Sequence, residues 1–133
     1  TQKQLSGQEF FITGHFPGAP ILPGAMMQEM STQSGGILIA AQYNPMQDYN
    51  TSDPDHNEYA LGVLVKVGKS RFRGFCRVGQ LIEARVTLRE TIDSLFDFSA
   101  TVTADGKPIM QNQFQLNPNK LFLLAVGLNP ITK

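Results

Sequence analysis

The sequence predicts an α+β fold in which an antiparallel sheet wraps around one long central helix. Three observations lead there. One stretch, from Gly24 or Ala25 to about Gln42, carries helix-forming residues with apolar side chains at helical spacing. Between Tyr59 and Leu116 the period becomes two, as strands with one buried face require. The helix holds a single charge, Glu29, so the buried face of the sheet has an obvious partner.

Composition bounds the function. The 133 residues fit one domain spanning 1–133. Eleven basic and eleven acidic residues cancel, which argues against a general nucleic-acid binder. No apolar run approaches the roughly 18 residues that span a bilayer, so no membrane span is expected. No secretory signal is visible. The chain begins at Thr1 rather than Met, so its natural N-terminus is expected upstream. Cys76 is the only cysteine, so no internal disulfide can form. It reads as a small, partly buried apolar residue, and a cytoplasmic location is the expectation.

The elements follow in order. Residues 1–14 end in the apolar patch Phe10-Phe11-Ile12. Three prolines and three glycines between Gly14 and Gly24 then forbid helix and disfavour strand. Because that stretch also holds Phe16, Ile21 and Leu22, it reads as a buried, rigid loop able to hold a catalytic side chain. In the helix, Met26, Met30, Ile37 and Ala41 form the apolar stripe, widened by Met27 and Leu38. A helix this apolar is expected to be buried on most sides, and Gly35-Gly36 to allow close approach of a neighbour. Residues 43–58 read as a mobile polar loop. Its Asp48, Asp53, Asp55, His56 and Glu58 lack metal-ligand spacing, and no metal is expected. Strands follow at Tyr59–Val67, Ser70–Phe75, Gln80–Glu90, Ser94–Thr103 and Lys107–Leu116, with Asp105-Gly106 as a type I′ hairpin turn. Asn119–Pro130 reads as a docked tail or an interface element.

Two side chains stand out chemically. His15 lies in the proline-rich loop beside Phe16, where apolar surroundings favour a neutral imidazole able to accept a proton. It reads equally as a structural residue capping the loop. Glu29 is the sole charge on the helix, and if buried it needs a hydrogen bond, a partner or a proton. Its face could also simply be exposed. Gln33 is one turn further on and shares that face, where it can hydrogen-bond Glu29. The helix start at Gly24 and Ala25 offers unpaired N–H groups and partial positive charge, suited to a developing oxyanion.

The run Gly14-His15-Phe16-Pro17-Gly18-Ala19-Pro20-Ile21-Leu22-Pro23-Gly24, followed by Glu29 and Gln33, resembles the active-site signature of the FabZ-type (3R)-hydroxyacyl-acyl carrier protein dehydratases. In that family a glutamate follows the loop histidine by fourteen residues, and His15 to Glu29 is the same separation. The similarity runs more weakly through Lys69-Ser70-Arg71-Phe72-Arg73, Val78-Gly79-Gln80-Leu81 and Ala104-Asp105-Gly106-Lys107. The related FabA-type enzymes carry aspartate where this chain has Glu29. The family normally has a further strand and short helix before the segment matching residues 1–14. It has Pro-Gly-Asp where this chain has Val78-Gly79-Gln80, and small or apolar residues where it has Ser31 and Thr32.

The resemblance implies a hot-dog fold and a homodimer, with dimers further associating in threes as one form. It implies elimination of water with His15 and Glu29 as the catalytic pair, supplied by different subunits. Gly24 and Ala25 would hold the thioester oxygen and Gln33 would support Glu29. Phe16, Ile21, Met26, Met30 and Phe72 are candidates for an acyl tunnel. Lys69, Arg71, Arg73 and Arg77 form a basic cluster that suits an acidic acyl carrier protein, whose phosphopantetheine arm carries the substrate; no separate cofactor is expected. A hot-dog thioesterase, a dehydratase of polyketide or polyene chains, and a non-catalytic scaffold that binds the carrier are the alternatives.

Overall fold

In a computed structural model of the chain, residues 1–43 and 62–117 are described. They form β1 (Gln2–Gln4), α1 (Gly24–Tyr43), β2 (Val63–Phe72), β3 (Leu81–Ile92), β4 (Leu95–Ala104) and β5 (Lys107–Asn117). The strands make one antiparallel sheet in the order β1-β3-β4-β5-β2, and α1 lies against it. The expected α+β layout is present. Residues 44–58 of the polar loop, residues 59–61 and the 119–130 segment lie outside the described residues.

Strand periodicity explains the core. On central β4, Phe96, Phe98, Ala100, Val102 and Ala104 are buried while the residues between them are half-buried. Phe98 lies directly opposite Phe114 on β5, and their rings stack at 5.2 Å and 15°. Burial of each such aromatic contributes about 1.5–3 kcal/mol. The β4–β5 turn has Asp105 at φ 46° and Gly106 at φ 80°, the paired positive values a type I′ turn requires. Cys76 is fully buried in the core, deeper than its expected partial burial.

Three sequence expectations are corrected. The two strands expected at Tyr59–Val67 and Ser70–Phe75 are one strand, β2, as far as the described residues show. Its register against β5 shifts between Leu64 and Lys66 and between Val67 and Ser70. A Cβ on Gly68 would stand 3.2 Å from the Gln113 carbonyl oxygen. The glycine therefore interrupts the alternation without ending the pairing. Residues 73–75 leave the strand, although Arg73 N–H still donates to Ile109 at 2.7 Å. Second, β1 is an element the pattern does not announce. Its three residues are polar and exposed, and they are held by backbone pairing of Gln2–Gln4 to Glu83–Leu81.

Third, α1 is rotated from its expected setting. The buried face is Met27, Ser31, Thr32, Ser34, Gly35, Ile39 and Ala40. Of the expected stripe, Met26 and Met30 are half-buried, Ala41 is exposed and Ile37 is 48% exposed. Polar residues can line this face because their hydroxyls donate back along the helix. Ser31 donates to Met27 (3.0 Å), Thr32 to Glu29 (3.0 Å) and Ser34 to Met30 (2.6 Å). Their small size lets the helix sit close to the sheet. A Cβ on Gly35 would come within 3.0 Å of the Phe114 ring. The helix is thus buried on one side, and Ala25, Glu29, Gln33 and Ile37 face solvent.

A carboxylate clamp fixes the chain between β1 and the loop. Glu9 accepts hydrogen bonds from Ser6 N–H (3.0 Å), Gly7 N–H (2.9 Å) and the Ser6 hydroxyl (3.1 Å), and it pairs with Lys3 at 3.0 Å. The Ser6 N–H first, and then Lys3, lower its pKa from 4.5 to about 2. A carboxylate depressed in the fold contributes stability that is full above pH 4.5 and is lost as pH falls toward 2. Acid titration of the thermal midpoint should therefore show a loss over that window that shrinks in Glu9→Gln. Parallel curves for the two proteins would show that the clamp contributes nothing.

Candidate active site

The loop that carries His15 is rigid for reasons visible in its sequence. Phe16-Pro17-Gly18-Ala19 makes a turn with Pro in the second place and Gly18 at φ 77° in the third, a type II arrangement. It is closed by Ala19 N–H donating to Phe16 C=O at 3.0 Å and Phe16 N–H to Ala19 C=O at 3.3 Å. The loop is then clipped to the rest of the fold. Ile21 bridges Arg77, and Leu22 N–H donates to Cys76 C=O at 2.8 Å.

His15 is tied to Ile21 twice. Its carbonyl accepts the Ile21 N–H at 2.8 Å, and its Nδ1 lies 3.2 Å from the Ile21 carbonyl oxygen. A carbonyl can only accept, so the proton of a neutral imidazole sits on Nδ1. That leaves the Nε2 lone pair available to take a proton. The ring is half-buried and stacks on Phe16 at 4.2 Å.

The helix begins where the sequence places it. Pro23 C=O accepts from Met26 N–H (3.0 Å) and Met27 N–H (3.3 Å). Among the described residues, the N–H groups of Gly24 and Ala25 have no acceptor. Gly24 is required by packing: a Cβ there would stand 2.8 Å from the Phe72 ring.

Glu29 is exposed in the single chain, one of the two settings its sequence position left open. It does have the expected partner, since Gln33 Nε2 donates to its Oε1 at 2.8 Å. Both line a groove of about 320 Å³ beside α1, with Met26, Met30, Ile37 and Leu22 among its apolar walls. Of the five tunnel candidates, Met26 and Met30 line this groove, whereas Phe16, Ile21 and Phe72 do not. His15 does not line it either. Lys69 and Arg71 share a separate shallow depression with Gln111 and Gln113, which Arg73 and Arg77 do not reach. All four cations are exposed, and Arg77 lies 5.8 Å over the Phe75 ring.

Residues 1–113 match the FabA-like domain. The chain belongs to the FabA-like domain family. It is 30% identical over 107 residues to the 3-hydroxyacyl-[acyl-carrier-protein] dehydratase FabZ of Cupriavidus metallidurans, covering 80% of this chain and 65% of that one. It is also 30% identical over 105 residues to FabZ of Burkholderia pseudomallei, covering 79% and 62%. The chain thus spans a little under two thirds of these relatives' length.

Solved structures share the fold at lower identity. The dehydratase heterocomplex ApeI:P of Xenorhabdus doucetiae matches with TM-score 0.56 at 16% identity, over 87% of this chain and 83% of that one. A hexameric thioesterase of Yersinia pestis matches with TM-score 0.63 at 11% identity, over 88% and 83%. The shared arrangement is the hot-dog fold. No described helix of this FabA-like domain is long and apolar enough to cross a membrane.

Sequence reasoning missed Gln28 and Ser70, which are hydrogen-bonded between α1 and β2, and Asn112, which lies opposite Ser70 on β5. The signal for Asn112 was present. Gln111, Gln113 and Gln115 alternate with it, and that places it on the inner face. The Gly24–Phe72 contact gives a test by double-mutant cycle. Gly24→Ala should destabilise by about 1 kcal/mol through overpacking. In a Phe72→Ala background the same change should stabilise, because alanine is the better helix former by up to about 1 kcal/mol. Equal effects in both backgrounds would dismiss the contact.

Proposed function

We propose that the protein dehydrates (3R)-3-hydroxyacyl groups on acyl carrier protein to trans-2-enoyl groups, as in fatty acid biosynthesis. The observation that carries this reading is the imidazole of His15, held by Ile21 with its proton on Nδ1 and Nε2 unoccupied, in a loop whose sequence leads to Glu29. His15 Nε2 takes the α-proton. The N–H groups of Gly24 and Ala25 receive the negative charge that grows on the thioester oxygen. Glu29, oriented by Gln33, holds the β-hydroxyl by accepting its O–H; the proton taken up by His15 Nε2 then passes to the β-oxygen, the Cβ–O bond breaks and the group leaves as water. The elimination itself calls on no metal or redox group.

His15 is absent from the groove that holds Glu29, and this favours a site completed by a second copy of the chain. In that homodimer each subunit gives its loop to the other's helix. His15→Ala and Glu29→Gln should each lower kcat for hydration of a crotonyl thioester by about 10²-fold or more, followed by loss of enoyl absorbance. Mixing the two inactive variants after dissociation should restore part of the activity, because each mixed dimer regains one intact pair. Full activity in both single variants would end this reading, and release of free thiol without elimination would identify a thioesterase.

The exposed Lys69, Arg71, Arg73 and Arg77 are proposed to meet the acidic carrier, with Lys69 and Arg71 as its centre. Changing Lys69 and Arg71 to Glu should raise KM several-fold for carrier-linked substrate. The KM for a small pantetheine thioester should stay in place, and added salt should narrow the gap. Equal effects on both substrates would remove the patch from the scheme.

A further inference from the structure

On the inner face of β5, Met110, Asn112 and Phe114 follow one another at alternate positions. Met110 belongs to one apolar cluster and Phe114 to another, so Asn112 divides the core. It is 2% exposed, and neither its Oδ1 nor its Nδ2 has a partner. Ser70 lies directly opposite on β2 and so shares that face. Its hydroxyl donates to Gln28 Oε1 at 3.2 Å, while Gln28 Nε2 is also buried without a partner. Two donors and one acceptor are therefore left unmade between helix and sheet, where each is costly.

We propose that Gln28, Ser70 and Asn112 form a subsite for a hydroxyl carried by the acyl chain beyond its β-carbon. A hydroxyl oxygen accepts two hydrogen bonds and donates one, which matches the three open groups. A methylene satisfies none of them, and a ketone leaves Asn112 Oδ1 open. The position suits a chain whose thioester sits at the helix start. Gln28 is one turn beyond Gly24, about 6 Å along the axis. Phe72, which packs on Gly24, is two residues from Ser70 on the same strand. The preferred substrate is then a 3-hydroxyacyl thioester that carries one further hydroxyl along its chain. This rests on the dehydratase reading.

The test compares two 3-hydroxyacyl pantetheine thioesters of equal length, one with an additional hydroxyl further along the chain. The wild-type protein should show a KM about tenfold lower for the hydroxylated substrate, the worth of one well-made hydrogen bond. Asn112→Leu should bring the ratio close to one. Gln28→Met, at a half-buried helix position, should reduce it as well and serves if Asn112→Leu does not fold. Equal KM values in the wild-type protein, or a preference that survives both substitutions, overturn the subsite. Equal KM values with a higher melting temperature for Asn112→Leu identify a water-filled gap and overturn it too. If neither substrate is eliminated, the dehydratase reading fails separately. Calorimetric affinities for matched pantetheine thioesters lacking the β-hydroxyl still read the subsite: a preference for the hydroxylated one supports it, and equal affinities overturn it.

Discussion

The angle at which α1 is turned on the sheet decides where every chemical group of this fold lies. Small residues set it. Gly35 allows the Phe114 ring within van der Waals reach of the helix backbone, and Gly24 does the same for Phe72. Ser31, Thr32 and Ser34 lie between or beside them with their hydroxyls satisfied within the helix. Interaxial distances respond to the side chains at the contact. A face of Met26, Met30 and Ile37 would hold the helix further off and leave three hydroxyls on the outside. With the small face inward, Glu29 and Gln33 point into a groove walled by methionine and isoleucine. The carboxylate then escapes the several kcal/mol that an unpaired buried charge would cost.

The loop before the helix is rigid by a separate mechanism. Pro17 sets φ and Gly18 supplies the positive φ that the turn needs, so little backbone freedom remains to be lost on folding. The two contacts between His15 and Ile21 then fix both the backbone and the tautomer of the imidazole. Because Leu22 is bonded to Cys76, the ring is referenced to the core rather than to solvent. Both candidate catalytic groups therefore stand on parts of the chain that hold their geometry without a ligand.

Legibility in the sequence followed physical signal strength. α1 was read to within a residue because helix formers run from Ala25 to Met30 and resume at Ile37, with no proline between Gly24 and Gln42. β3, β4 and β5 were read nearly as well because their alternation is strict. β1 was not, since Gln2-Lys3-Gln4 buries no side chain and leaves no period to detect. β2 was split by Gly68, because a bulge and a strand end look alike until the pairing is seen. The facing of α1 was misjudged for a related reason. Apolar spacing ranks methionine above serine, but a serine bonded to its own helix is a smaller and equally satisfied core residue. The Glu29–Gln33 pair was legible because one helical turn is a fixed distance, whereas the placing of Gln28, Ser70 and Asn112 depends on tertiary register.

On the proposed reading, the exposure of Glu29 in one chain is part of how the site works. A carboxylate in water is screened and strongly hydrated, and its influence on a nearby bond is weak. The groove around it is mostly apolar, and the half-exposed Ile37 extends that surface. When a second chain covers such a groove, the apolar walls gain by burial while water is expelled from around the carboxylate. The field of Glu29 and of the Gly24 and Ala25 N–H groups then acts across a low-dielectric gap, where each is worth more. Gln33 keeps one carboxylate oxygen bonded throughout, which limits the loss on desolvation. The same apolar contact that holds two subunits together would thereby switch on the electrostatics of elimination, so assembly and activity would rise and fall together.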